Sequence, residues 1–463
     1  MTSTISPGIF DDATDVGPVA IPGSVQEQDG GYRVTGSGTN MWFERDEFHF
    51  VWKRVEGDIA LAATIAFPEA GADPHRKACL VIRASLEPGA AYADIALHGD
   101  GLTSLQYRPT TGAVTREVQS SAVAPRRIGI TRRGDVVTAL VDGRPSGGSV
   151  RLRLDGAYYV GLAVCSHDPG VAEAAVFSDV ELGAPTPSTG TLWSSLETVD
   201  IASTDRRAVH VVDRWIEAPN WTADDRLVFN GEGRIFAVAA AGGDEERIDT
   251  GTAVQCNNDH GLSPDGTQLA ISDQSEGESA ISILPLAGGV PQRVTTQAPS
   301  FWHGWSPDGA ILAYTARRDG VWGVFTIPAD GGEERRLTTA TGLDDGPDYS
   351  PDGRWIYFNS DRTGRMQIHR IPAEGGDVER VLETATADWF PHISPDGRWL
   401  VHLAYAADVV GHPRDHEVTL QLVDLTDGSS RVLAELFGGQ GTINVPSWSP
   451  DSRRLAFVSY EYH

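Results

Sequence analysis

Ser263-Pro264-Asp265-Gly266 recurs as Ser306-Pro307-Asp308-Gly309, Ser350-Pro351-Asp352-Gly353 and Ser394-Pro395-Asp396-Gly397. A variant, Ser449-Pro450-Asp451-Ser452, ends the series, and a degenerate copy, Thr222-Ala223-Asp224-Asp225, opens it. The first residues of successive copies lie 41, 43, 44, 44 and 55 residues apart. A fixed period near 40 marks a repeat architecture. Each copy reads as a tight turn, because Pro presets φ and Asp and Gly accept the remaining turn geometry. Short apolar runs follow: Leu269-Ala270-Ile271, Ile311-Leu312-Ala313-Tyr314, Trp355-Ile356-Tyr357-Phe358 and Leu455-Ala456-Phe457-Val458. These are strands, and six such units predict a six-bladed β-propeller.

The rest of the chain is organised around that array. At 463 residues it is long for one core, so more than one domain is expected. Its 51 glycines and 27 prolines, with clustered β-branched and aromatic residues, give an all-β profile rich in turns. Residues 1–25 read as a polar extension. Residues 26–183 carry many short alternating strands, among them Phe48-Lys53, Asp58-Phe67, Ala78-Ser85, Tyr92-His98 and Tyr158-Cys165, the pattern of an antiparallel β-sandwich. Residues 184–192, with two prolines and small residues, form the linker. The propeller then occupies 193–463, and strands within 196–212 are expected to complete its last blade, because little chain remains after residue 449.

A net charge of −27 with no basic stripe excludes nucleic acid and an anionic membrane as partners. Cys79, Cys165 and Cys256 form no disulfide framework or metal-binding pair and read as small buried hydrophobes. There is no long apolar run, and the start of the chain lacks a charged segment followed by an apolar one, so a cytoplasmic location is expected.

Chemistry is sought where the repeat departs from its own pattern. Pro219, Pro347, Pro391 and Pro446 stand three residues before their turns, whereas His260 and His303 replace Pro there and His392 sits one residue nearer its turn. Strand alternation brings all three to the same mouth of the central channel. They are the candidate catalytic residues, with Asp259 and Asp345. The three imidazoles could hold a divalent cation (Mn²⁺, Ca²⁺ or Zn²⁺) or could supply a general acid–base pair near neutrality. A solvated, structural role for channel-mouth polar residues is the competing reading. The same face carries the candidate substrate-binding residues Asn258, Trp302 and Trp389. It also carries two segments of the one long interval, with His412, Arg414 and His416 in one and Gln440 and Asn444 in the other. No Gly-x-Ser-x-Gly elbow, P-loop or EF-hand spacing is present.

Two resemblances follow from these residues. Asn40-Met-Trp-Phe-Glu-Arg-Asp-Glu-Phe-His-Phe-Val-Trp-Lys53, Asp73-Pro-His-Arg76 and His98-Gly-Asp-Gly-Leu-Thr-Ser-Leu105 resemble a concanavalin-like (laminin-G-like) jelly roll. Asn257-Asn-Asp-His260, His303-Gly-Trp-Ser-Pro-Asp308, Trp389-Phe-Pro-His392 and the segment from Phe437 to Asp451 resemble the bacterial TolB-like propellers, often labelled a Tol biopolymer transport component. In outline the channel is also similar to that of oligogalacturonate lyases. These resemblances imply a carbohydrate-active protein, a lyase or hydrolase acting on an oligosaccharide or small sugar. The alternative is a propeller that binds a sugar or a protein without chemistry.

Overall fold

The computed structural model describes residues 8–339 and 342–463, and every regular element among them is a strand. The first seven residues of the expected extension lie outside the described residues. The chain divides into two units, residues 1–191 with 205–211 and 462–463, and residues 192–204 with 212–461.

The first unit contains two antiparallel sheets that share one core. In the first sheet Asp12–Val16 pairs with Phe48–Val55, which is followed by Tyr158–Cys165, Lys77–Arg83, Tyr92–His98, Thr103–Arg108 and Arg116–Gln119. The second orders Arg144–Arg151, Val136–Val141, Arg127–Arg133, Ile59–Ala66, Glu173–Gly183, Gly31–Gly36 and Ser24–Gln28. Ile59–Ala66 shows why: its alternate residues Ile59, Leu61, Ala63 and Ile65 are buried and the others are not. They meet Leu80, Ile82 and Ile95 of the first sheet in one cluster. Each such Leu or Ile stabilises the fold by roughly 1.5–3 kcal/mol on burial. Part of the segment read as an extension is built into the two sheets. Asp12–Val16 and Ser24–Gln28 are strands, because the edges of both sheets offer unpaired backbone groups. The three cysteines are free and buried.

The second unit holds five four-stranded antiparallel blades, where six were expected. Their first strands are Ile216–Trp221, Cys256–Leu262, Ser300–Trp305, Asp344–Tyr349 and Ala387–Ile393. After the last turn only one strand, Arg454–Tyr462, remains. It neighbours Leu192–Asp200, and on the other side Trp448 meets its Leu455 only in an isolated bridge. The pair expected to complete this blade is divided: residues 192–204 fall in the second unit and 205–211 in the first, where Arg206 pairs in parallel with Val118.

The Ser-Pro-Asp-Gly turn has one construction in every copy. In Ser263 the hydroxyl donates to Asp265 Oδ1 (2.6 Å) and accepts from the Gln268 N–H (2.9 Å), while Gly266 takes φ +70. Thr222 reproduces both bonds, to Asp224 and from the Arg226 N–H. Ser452, in the Gly position, adopts φ +60. The side-chain Ser–Asp bond therefore holds the turn even where its Gly is lost.

Candidate functional site

Each of the five first strands carries a β-bulge at the same place in the repeat. Pairing is interrupted between Glu217 and Asn220, Cys256 and His260, Trp302 and Gly304, Asp345 and Asp348, and Trp389 and His392. A bulge leaves a residue unpaired and redirects its side chain. This explains the prolines: Pro219, Pro347 and Pro391 lie in bulges, where no ladder N–H is needed. It also places the chemistry.

The bulges and the long-interval loops surround a cavity of about 680 Å³ in the second unit. Its polar wall is Glu217, Asn258, Asp259, His303, Asp345 and His412, extended by Arg414, Gln440 and Asn444. Its apolar wall is Trp215, Phe301, Trp322, Leu343 and Phe390, with Asn257, Gln274 and Thr315 completing the lining.

His303 is the bulged residue of its strand and is only 3% exposed. Its Nε2 stands 3.4 Å from Asp345 Oδ1 and 3.9 Å from Asp259 Oδ1. His412 Nε2 lies 3.6 Å from the other oxygen of Asp345. Burial opposes a charge on His303, but the hydrogen bond to Asp345 and the fields of Asp259 and Asp345 outweigh it and raise its pKa. Burial works against Asp345 as well, yet His303 and His412 hold its carboxyl far below the usual range. Asp259 is different. Burial, aided by Asp345, pushes it up to about 6, against the pull of His303 and the amide of Asn444, which donates to it. Glu217 is pushed up to about 7, mainly by burial and also by Asp259. His412 is lowered, chiefly by burial. The cavity thus contains one ion pair, two carboxyls raised to about 6 and about 7, and an imidazole lowered by burial.

Supporting residues fix this arrangement. Phe390 takes φ +55 in its bulge, its N–H bonded to Asn359 Oδ1 at 3.0 Å, and its ring stacks on His303 with centroids 6.4 Å apart. Such a conformation costs a non-glycine residue roughly 1–3 kcal/mol and persists only where its surroundings enforce it. Trp389 is 1% exposed and meets His412 edge-on at 4.4 Å, so it positions that imidazole from behind the wall.

Several expected residues lie elsewhere. His260 is not in the cavity: pairing in its strand resumes at His260 itself, and its Nδ1 bonds Asn220 Oδ1 at 2.8 Å. Burial lowers its pKa to about 3. His392 is also turned away, with Nδ1 3.2 Å from Asp348 and Nε2 2.8 Å from the Ile443 carbonyl. The three histidines therefore do not share a coordination centre and do not fit a common metal ion. As the side chains stand, no set of three His, Cys, Asp or Glu among the described residues is placed to hold one. Trp302 is a core residue, 1% exposed, and its ring lies against Gly261, where a Cβ would come within 1.9 Å of it. Strand alternation gives the cavity its neighbour Phe301 instead. His416 bonds the Arg414 carbonyl through Nδ1 and does not line the cavity. Asn258, Asp259, His303, Asp345, His412, Arg414, Gln440 and Asn444 are brought together. Glu217 was missed, although it stands five residues before its turn, as Asn258, Phe301, Asp345 and Asn444 do. Equivalence within the repeat was the signal.

The comparisons agree with this architecture. Residues 297–435 match the TolB β-propeller repeat family, PD40. The uncharacterised protein Atu1656 of Agrobacterium fabrum is 50% identical over 274 residues, covering 94% of its own length and 58% of this chain. The chain belongs to the TolB-like β-propeller family. A structure solved under the provisional name TolB from Agrobacterium tumefaciens is 50% identical with a TM-score of 0.57, and the match covers 99% of it and 59% of this chain. An oligogalacturonate lyase solved with manganese is 14% identical with a TM-score of 0.37, covering 98% of that chain and 59% of this one. That likeness is too distant to carry chemistry. The family in turn does not specify an activity, which has to be argued from the cavity.

Proposed function

We propose that the second unit binds a saccharide in this cavity and cleaves it by general acid–base catalysis, as a lyase or a hydrolase. The observation that carries the reading is His303 held between Asp345 and Asp259 at 3.4 and 3.9 Å, within a cavity that also has aromatic walls. Pairs of groups whose environments push their pKa values apart mark acid and base roles. Asp259, pushed up to about 6, is the proton donor to a leaving oxygen, with Glu217 as a second protonated carboxyl. His412, lowered and therefore neutral, is the base. His303, charged and aimed by Asp345, stabilises negative charge that develops on substrate oxygen. Trp215, Phe301, Trp322 and Phe390 offer apolar faces for sugar rings, and Asn258, Gln440 and Asn444 offer amides for hydroxyls.

Two architectural readings accompany this one. Arg454–Tyr462 and Leu192–Asp200, as neighbouring strands, are read as parts of an incomplete sixth blade. The two-sheet first unit is read as a concanavalin-like jelly roll, supported by its shared core.

The test is a panel of neutral and uronate oligosaccharides, followed by reducing ends and by the absorbance of unsaturated uronates. Reducing ends without that absorbance identify a hydrolase, and both together a lyase. Binding without turnover would replace the enzyme reading with a binding module. Failure of every saccharide to bind at millimolar concentration would overturn the proposal.

A further inference from the structure

A second cluster of chemistry lies in the first unit, remote in sequence from every residue that lines the cavity. Tyr158–Cys165, Lys77–Arg83 and Tyr92–His98 are adjacent strands, and Cys165, Lys77 and His98 are level with one another across them. This end of the sheet collects three histidines. His98 closes its strand, His75 stands two residues before Lys77, and His167 stands two residues after Cys165. The ring centroids of His75 and His98 are 6.1 Å apart, and those of His75 and His167 are 5.6 Å apart. Two imidazoles that share one tetrahedral ion at the usual metal–nitrogen length have centroids about 5–6 Å apart.

Two further observations point to a ligand. His98 is 3% exposed, and its Nδ1 is buried without a hydrogen-bond partner. A buried ring nitrogen in that state costs free energy that a ligand bond would recover. Asp73 Oδ2 stands 3.5 Å from His167 Nδ1, while Asp73 Oδ1 accepts the backbone N–H of His75 at 2.7 Å. A carboxylate on one ring nitrogen of a histidine orients the other for a metal, as outer carboxylates do in histidine metal sites. As the side chains stand, the donors do not converge on one point. His75 is exposed and His167 half-buried on a loop, so rotation of these rings is the movement that binding requires.

We propose that His75, His98 and His167, with Asp73 as the orienting carboxylate, form a binding site for one divalent transition-metal ion of the imidazole-preferring class, such as Zn²⁺ or Ni²⁺. Three nitrogens leave a fourth tetrahedral position for water or an exogenous ligand. An all-nitrogen set disfavours Ca²⁺ and Mg²⁺, which select oxygen.

The experiment is calorimetric titration of the untagged, chelator-stripped full chain with Zn²⁺, Ni²⁺ and Ca²⁺. Each protein is checked by circular dichroism and thermal melting. The expected result is one equivalent of Zn²⁺ or Ni²⁺, a melting temperature raised by the bound ion, and no Ca²⁺ binding. His75→Ala and His167→Asn should each weaken binding at least tenfold while folding normally. Asn is chosen for His167 because its φ of +66 is one that Asn tolerates. His416→Ala, in the other unit, should bind as the parent does. Absence of stoichiometric binding, or parental affinity in the His75→Ala/His167→Asn double variant, would overturn the site. So would loss of binding only in His303→Gln, which would move the ion to the propeller cavity.

Discussion

His303 Nε2 lies 3.4 Å from Asp345 Oδ1, and each partner moves the other's proton equilibrium in the direction that keeps the pair ionised. The imidazole is raised and the carboxyl depressed although both are buried. Asp345→Asn removes the main hydrogen bond and one of the two carboxylate fields, so the His303 pKa should fall. Titration of the His303 ring by NMR, in the parent and in Asp345→Asn, measures this directly. An unchanged titration would show that Asp345 does not control His303. The sign for stability follows: His303 contributes below its unfolded pKa, and its contribution is lost as pH rises through its raised folded value.

Asp259 makes the opposite use of burial. Its carboxyl is pushed up to about 6, so in the folded state it keeps a proton that the unfolded chain gives up near 3.8. The folded chain therefore holds more protons in that window, and the stability tied to Asp259 is lost as pH rises from about 4 to about 6. A shift of this size corresponds to at most about 3 kcal/mol. Asp259→Asn should flatten the dependence of melting temperature on pH across that window and raise it at pH 8. In the enzyme reading the same variant loses the proton donor, and turnover should fall on the order of 100-fold or more.

His392 separates a histidine held by the fold from one that lines the cavity. Both its ring nitrogens are committed, at 3.2 Å to Asp348 and 2.8 Å to the Ile443 carbonyl, and it is 1% exposed. His392→Ala should cost roughly 2–4 kcal/mol, through a cavity and two unsatisfied polar groups. Ligand affinity of the folded fraction should be unchanged. Denaturant melts, with binding measured well below the midpoint, distinguish this outcome from a direct role. In the enzyme reading His303→Gln should do the reverse, abolishing turnover with a smaller loss of stability.

The turn itself can be tested at Ser350. Its hydroxyl donates to Asp352 Oδ1 at 2.6 Å and accepts the Trp355 N–H at 3.0 Å. Ser350→Ala removes both bonds, and a loss of about 1–2 kcal/mol is expected in thermal or urea unfolding, with no effect at the cavity. A neutral result would place the turn's stability in its backbone alone.

The repeat made the propeller legible, because the Ser-Pro-Asp-Gly turn is built from bonds within six residues and needs no distant partner. The strands of the first unit were legible for the same reason: alternation in Ile59–Ala66 is a local property. The count of blades is not a local property. It depended on which edge strands pair after Arg454–Tyr462, and that is settled by residues more than 200 positions apart.

The site was legible in part. Asp259, His303, Asp345, His412, Arg414, Gln440 and Asn444 could be found because each breaks the repeat or lies in its one long interval. What the sequence could not decide was direction. His260 and His303 hold the same place in the repeat, three residues before Ser, yet one lines the cavity and the other bonds Asn220. The difference is a bulge whose pairing resumes at His260 in one strand and only after His303 in the next. Such a one-residue shift in register reverses the face a side chain occupies. It arises from contacts with the neighbouring strand, so the amino-acid sequence determined the ruler and its irregularities, and the tertiary structure alone decided which of them face the cavity.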